Sequence, residues 1–466
     1  MLQRPLRLAL VAASIALLAA CSDDPDEPSP GTTTSTTPPG EVDILEALRG
    51  IEGLEVEEKP TAFEGVRFFQ LRYDQPADHS DPEGPRFQQR MTLLHRDTAA
   101  PFVIESTGYS IVPVFQLYSE PAQLLGGNQL LVEHRFFADS RPEPADWATL
   151  TIEQAAADHH RIVEALRPIY QGKWVSTGGS KGGMTSVYHR RFYPDDVDAT
   201  VAYVAPQSYG TSDPRYLTFV DQVGDAACRQ SLKDAQREML LRRPAMIALM
   251  QGEGDTYDLL GMDKALEVAV IDLPFAFWQY HDASLCPQVP TAALTDDEVW
   301  AFLDEVDPPA FWADRGFLEY EPYYFQAGIQ LGYPAVDETY IADLIMYPGI
   351  DVPSTFVVPG PGKDLVFDPE AMMDVADWLS AEGESMLFVY GENDPYSAAA
   401  FELGGAKDSF RFFVPEGNHG SEILDLPAAD RDAALLALEA WTGVTPVVPE
   451  QRSPMSLRRM MRRHPL

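Results

Sequence analysis

Three residues far apart in this chain have the types and surroundings that nucleophilic catalysis requires. Ser180 sits in Gly178-Gly179-Ser180-Lys181-Gly182-Gly183, a G-x-S-x-G pattern between a strand expected at 174–177 and a helix expected to run to Phe192. Glycines on both sides let the backbone turn tightly enough to present a serine Oγ at the edge of a sheet. A serine is a weak nucleophile until a base takes its proton, and in sites of this kind an acid and then a histidine follow it along the chain. Asp394 lies in Tyr390-Gly391-Glu392-Asn393-Asp394-Pro395, directly after an expected strand, and His419 lies in Pro415-Glu416-Gly417-Asn418-His419-Gly420, after another. In that chemistry His419 accepts the Ser180 proton and returns it to the leaving group, while Asp394 fixes the imidazole tautomer. The amide of Lys181, opening the helix, would face the developing oxyanion. A second donor belongs to the loop after an earlier strand, which makes Gly108 and Tyr109 in Thr107-Gly108-Tyr109 the candidates. A plain glycine turn, an aspartate turn cap and a surface-loop histidine are the alternatives without chemistry.

These residues need a scaffold that ends several strands at one edge. Strand-like runs at 102–105, 129–132, 174–177, 199–204, 385–390 and 410–414 alternate with helical patterns, clearest at 152–166 and 428–441. That alternation implies a mostly parallel sheet covered on both faces. Ahead of it, 68–73 and 87–94 read as an antiparallel hairpin with a long connection. The alternation stops between 209 and 378, a stretch rich in aromatics with helical patterns at 232–250, 297–303 and 338–346. The expected fold is α/β, a sheet in two halves (42–208 and 379–445) with a largely helical cap (209–378) inserted between them. Within the cap, Phe275, Phe277, Trp278, Tyr280, Tyr323, Tyr324 and Phe325 either wall a pocket or pack its core.

Composition narrows the partners. Thirty-four Lys and Arg stand against 72 Asp and Glu in 466 residues, a formal net charge of −38, which repels phosphate backbones and excludes a nucleic-acid role. The same charge attracts cations, including a free peptide N-terminus. Arg4 and Arg7 precede an uncharged apolar run that ends Leu18-Ala19-Ala20-Cys21, so 1–20 reads as a secretory signal whose end resembles a bacterial lipobox. Acylated Cys21 would then be the mature N-terminus, 21–41 a disordered tether and the location an exported, lipid-anchored one in a bacterial cell envelope. Residues 446–466 form a basic tail. Export also makes a disulfide the expectation for Cys228 and Cys286, the two cysteines of the folded domain, with two buried thiols as the alternative. The remaining histidines show no metal-ligand spacing, so neither a metal nor a cofactor is expected.

Together with Val132-Glu133-His134-Arg135-Phe136-Phe137-Ala138-Asp139-Ser140-Arg141-Pro142, the Ser180, Asp394 and His419 motifs resemble those of the bacterial secreted prolyl tri- and tetrapeptidyl aminopeptidases. These are serine peptidases distantly related to prolyl carboxypeptidase, and the likeness spans roughly 42–442. It implies an α/β-hydrolase fold with a helical cap, the triad Ser180, Asp394 and His419, and release of short peptides from free N-termini, commonly after proline. Glu133, following an expected strand, is the candidate partner for the substrate ammonium, with an ion pair to Arg135 as the structural alternative. A carboxylesterase or lipase using the same triad and a catalytically inactive envelope protein are the competing classes.

Overall fold

The computed structural model describes residues 43–449; Cys21, the tether and most of the basic tail lie outside them. Nine strands form one sheet among these residues: β1 (Leu54–Lys59), β2 (Arg67–Pro76), β3 (Arg86–His95), β4 (Phe102–Ser106), β5 (Asn128–Val132), β6 (Trp174–Gly179), β7 (Ala199–Tyr203), β8 (Met386–Gly391) and β9 (Phe410–Val414). Their spatial order is β1-β2-β3-β5-β4-β6-β7-β8-β9. The first three strands form an antiparallel meander that joins β5 antiparallel, and from β5 to β9 every pairing is parallel. β4, β5 and β7 are buried along their whole length, as apolar strands covered on both faces must be. Each fully buried Val, Leu, Ile or Phe there is worth roughly 1.5–3 kcal/mol relative to exposure.

The strand order decides where a ligand can sit. From β4 the chain moves outward to β5, then crosses back through the helix Ile152–Leu166 to place β6 on the other side of β4. Where the order reverses, the loops leaving β4 and β6 part and open a crevice at the carboxyl ends of the strands. Thr107-Gly108-Tyr109 leaves β4 at that edge and Ser180 leaves β6 beside it, with Ser106 paired to Gly178.

Between β7 and β8 the chain forms helices at Arg215–Val220, Ala226–Leu241, Arg243–Glu253, Met262–Tyr280, Asp296–Val306, Asp314–Gln326 and Glu370–Glu382. Four details differ from the expectation. The helix expected at 232–250 is two, divided at Arg242, because Pro244 suits a first helical turn and cannot continue the preceding one. Met262–Tyr280, the longest helix, was not expected as a unit because Pro274 lies inside it. At 338–346 only a short turn of helix, Thr339–Ile341, forms. Strand β1, an alternating Glu-rich edge, was also not foreseen. A disulfide joins Cys228 to Cys286 across 58 residues, with Cα atoms 5.4 Å apart, and ties Ala226–Leu241 to the turn after Met262–Tyr280. The cap is seated on the sheet domain through a continuous apolar cluster, in which Trp147 packs against Phe136 at 5.3 Å and Phe325 at 5.0 Å between ring centres.

Candidate active site

Ser180 adopts φ 54°, ψ −126°, a strained conformation for a residue with a Cβ, at the junction of β6 and the helix Lys181–Phe192. Its N–H donates to the Tyr203 carbonyl at 2.9 Å and its carbonyl accepts from Met184 at 3.0 Å, so the backbone is pinned on both sides. Glycine is obligatory beside it. A Cβ on Gly182 would lie 2.1 Å from the Ser106 carbonyl oxygen, and one on Gly108 would lie 2.5 Å from the Gly182 nitrogen. The two loops therefore pack backbone to backbone, which brings the β4 loop against the start of the helix.

His419 and Asp394 reach the same place from the other half of the sheet. Asp394 follows β8 and is fully buried; one carboxylate oxygen accepts from the Tyr396 amide at 3.1 Å and the other meets His419 Nδ1 at 2.7 Å. The His419 loop follows β9 and is anchored to the cap by its own N–H, which donates to the Gln279 carbonyl at 2.9 Å. His419 Nε2 takes no hydrogen bond, and His419 and Ser180 line one cavity of about 550 Å³ between the sheet edge and the cap. That size suits a small ligand.

The β4 loop brings both expected residues, Gly108 and Tyr109, to the turn, but Tyr109 by its side chain and not its amide. The Tyr109 amide is committed to Thr107 Oγ1 at 3.1 Å, which leaves the Gly108 and Lys181 amides at the turn. The Tyr109 phenol instead contacts the Ser180 hydroxyl, and burial pushes its pKa up, so it stays protonated and able to donate. The Lys181 side chain, almost completely buried, donates from Nζ to the Gly108 carbonyl at 2.6 Å and lies over the Tyr109 and Phe137 rings. Desolvation holds its pKa well below the usual lysine value.

Glu133 does not face the cavity, which corrects the expectation that it meets the substrate ammonium. It is fully buried and paired with Arg90, through bonds of 2.8 and 2.5 Å, and also accepts from the Ser140 hydroxyl at 2.7 Å and the Ile111 amide at 2.9 Å. Its partner is Arg90 rather than Arg135, because β3 and β5 pair antiparallel and bring residue 90 beside it. Arg135 is spent on Asp158 in a buried two-bond pair of 2.7 and 2.8 Å. The 132–142 motif thus serves as a brace: Glu133 holds Ile111, and the His134 amide holds the Tyr109 carbonyl at 3.0 Å.

The cap aromatics divide. Tyr280, Tyr323 and Tyr324 line the cavity, while Phe275, Phe277, Trp278 and Phe325 are buried in apolar packing. Five acids of the cap were not singled out from sequence. Asp272, Asp307 and the exposed Asp304 and Glu305 line the cavity, and Asp351 lies behind its wall. The available signal was a lone carboxylate in the otherwise apolar stretch Val268-Ala269-Val270-Ile271-Asp272-Leu273.

Sheet order, elbow and His–Asp pair define a serine hydrolase of the α/β-hydrolase type. Comparison with known proteins sharpens that class. The PS-10 peptidase S37 family matches residues 37–462, and the chain belongs to this family of serine peptidases. Prolyl tri/tetrapeptidyl aminopeptidase of Streptomyces mobaraensis is 44% identical over 418 residues, 87% of this chain and 86% of that one. Prolyl carboxy peptidase like protein 5 of Caenorhabditis elegans is 30% identical over 159 residues, 32% of this chain and 29% of that one. Among solved structures, proline iminopeptidase of Mycobacterium smegmatis is 12% identical with a TM-score of 0.34, covering 83% of this chain and 99% of that one.

Proposed function

We propose that the protein is an exported aminopeptidase that releases short peptides, chiefly tripeptides and often after proline, from free N-termini through an acyl-enzyme on Ser180. The observation that carries this reading is the bonded His419–Asp394 pair facing, with Ser180, a cavity closed over by the cap. The 44% identical relative bears a name for that activity and supports the substrate class.

In this mechanism Ser180 Oγ bonds to the scissile carbonyl carbon as His419 Nε2 takes its proton, and Asp394 stabilises the imidazolium through Nδ1. The Lys181 and Gly108 amides and the Tyr109 phenol receive the oxyanion. Collapse breaks the C–N bond, His419 protonates the departing amine, and water then repeats the sequence in reverse to free the released peptide. Cys21, acylated after signal cleavage, would tether the enzyme to a bacterial membrane; Cys21→Ala should release it from the membrane fraction.

The test is the mass of the products from a ten-residue peptide carrying proline at its third position, supplied with a free and with an acetylated N-terminus. The reading expects an N-terminal tripeptide from the free form and little from the acetylated one. Equal cleavage of both would remove the aminopeptidase assignment, and faster hydrolysis of fatty-acyl esters than of any peptide would replace it with an esterase.

A further inference from the structure

A substrate that enters by its N-terminus brings a positive charge, and the cap's part of the cavity wall is short of one. Asp272, on the helix Met262–Tyr280, and Asp307, at the end of the helix Asp296–Val306, both line the cavity that holds Ser180 and His419. Neither takes part in any ion pair among the described residues, and Asp272 makes no hydrogen bond there. Asp307 is 8% exposed, and its Oδ2 has no hydrogen-bond partner. Asp351, 4% exposed, accepts from the Tyr333 hydroxyl at 2.9 Å through Oδ1, while its Oδ2 is likewise unpartnered. Trp312 lines the same cavity with its indole N–H unpartnered although the residue is 4% exposed.

Holding carboxylates largely out of water around one cavity without a cation is costly, and folds keep such an arrangement where a ligand completes it. The missing partner must carry positive charge, and Trp312 adds a donor for a carbonyl. An α-ammonium followed by a peptide carbonyl has both features. A metal ion fits less well, because among the described residues no three acidic, histidine or cysteine side chains converge closely enough to hold one.

We propose that Asp272 and Asp307, backed by Asp351, form the receptor for the substrate α-ammonium, with Trp312 donating to a carbonyl of the residues that follow it. This rests on the aminopeptidase reading and assigns its specificity to the cap rather than to the sheet domain. It also accounts for the raised pKa values of the three aspartates: desolvation favours the protonated forms, with repulsion from Asp351 adding at Asp272 and Asp307 and from Glu338 at Asp351, and an arriving ammonium offsets this by supplying the countercharge.

The experiment compares kcat/KM for a tripeptide amidomethylcoumarin with a free N-terminus against its N-acetyl form, in the native enzyme and in Asp272→Asn and Asp307→Asn, with melting temperatures alongside. The proposal expects the native enzyme to prefer the free form, each variant to lose roughly tenfold to a hundredfold on that form alone, mainly in KM, and turnover of the acetylated form to stay unchanged. It also expects both variants to melt higher at neutral pH, because each aspartate must take up a proton to be held out of water in the folded state and asparagine need not. Variants that keep the native preference would overturn the proposal, as would variants that melt lower or fail to fold, since that behaviour marks the cluster as structural. A native enzyme without preference would overturn the aminopeptidase reading instead, so the two failures are distinguishable.

Discussion

Two groups of carboxylates largely withdrawn from water are treated in opposite ways. Around the 132–142 motif, Glu133 is matched by Arg90 and Asp158 by Arg135, with the remaining lone pairs taken by hydroxyl, imidazole and amide donors. In the cap, Asp272, Asp307 and Asp351 have no cation among the described residues. A buried acid whose every bond is filled holds a fold in place, whereas one left short of a countercharge is available to something that arrives later. The difference teaches that burial alone does not mark a binding residue; the count of unfilled partners does.

Several changes would break or sharpen this contrast, beginning with those that silence the site both regions serve. Ser180→Ala and His419→Ala are each expected to cost at least about four orders of magnitude in kcat/KM, and the double variant little more than either, because the pair acts as one unit. Steady-state kinetics on a proline-containing tripeptide substrate checks this; strictly multiplying losses would mean that the two act separately. Asp158→Asn should destabilise the fold by about 3–5 kcal/mol in denaturant unfolding, since it leaves the buried Arg135 charge unmatched, and should shift stability in the sense opposite to Asp307→Asn. If both substitutions moved stability the same way, the contrast between the regions would collapse.

Tyr109→Phe removes the phenol that contacts Ser180 and is proposed to receive the oxyanion, and a loss of about a hundredfold in kcat with little change in KM is expected. A change confined to KM would make Tyr109 a substrate wall instead. The smallest effect is on pH. Burial raises Asp351 from 3.8 to about 7, so its share of stability is fully present below pH 4 and is lost as the pH climbs through about 7. Asp351→Asn should flatten the fall in melting temperature between pH 5 and 8, and an unchanged slope would assign that fall to other groups such as Glu120, which burial also raises to about 7.

Much of this was legible in the chain because it is encoded locally. Gly178, Gly182 and Gly183 announce a turn that no other residue fits, and the order Ser180, Asp394, His419 follows from strands whose apolar runs stand out. The misreading of Glu133 shows where local signals end. Its place after a strand gave no indication that an antiparallel neighbour would set Arg90 beside it, since strand pairing is decided by the whole sheet. The cap acids were hidden for a related reason: Asp272, Asp307 and Asp351 come from three segments that approach one another only once the cap is packed. Pro274 concealed the helix that carries the first of them, because a proline signals a break where packing instead sustains the helix.

The account is tested most directly by the rate at which a fluorophosphonate labels the enzyme, followed by mass mapping of the adduct, with and without a tripeptide ending in proline. The adduct should sit on Ser180, and the free tripeptide should slow its formation markedly while the N-acetyl tripeptide at equal concentration should not. An adduct at any other residue, or equal protection by the two peptides, would contradict it.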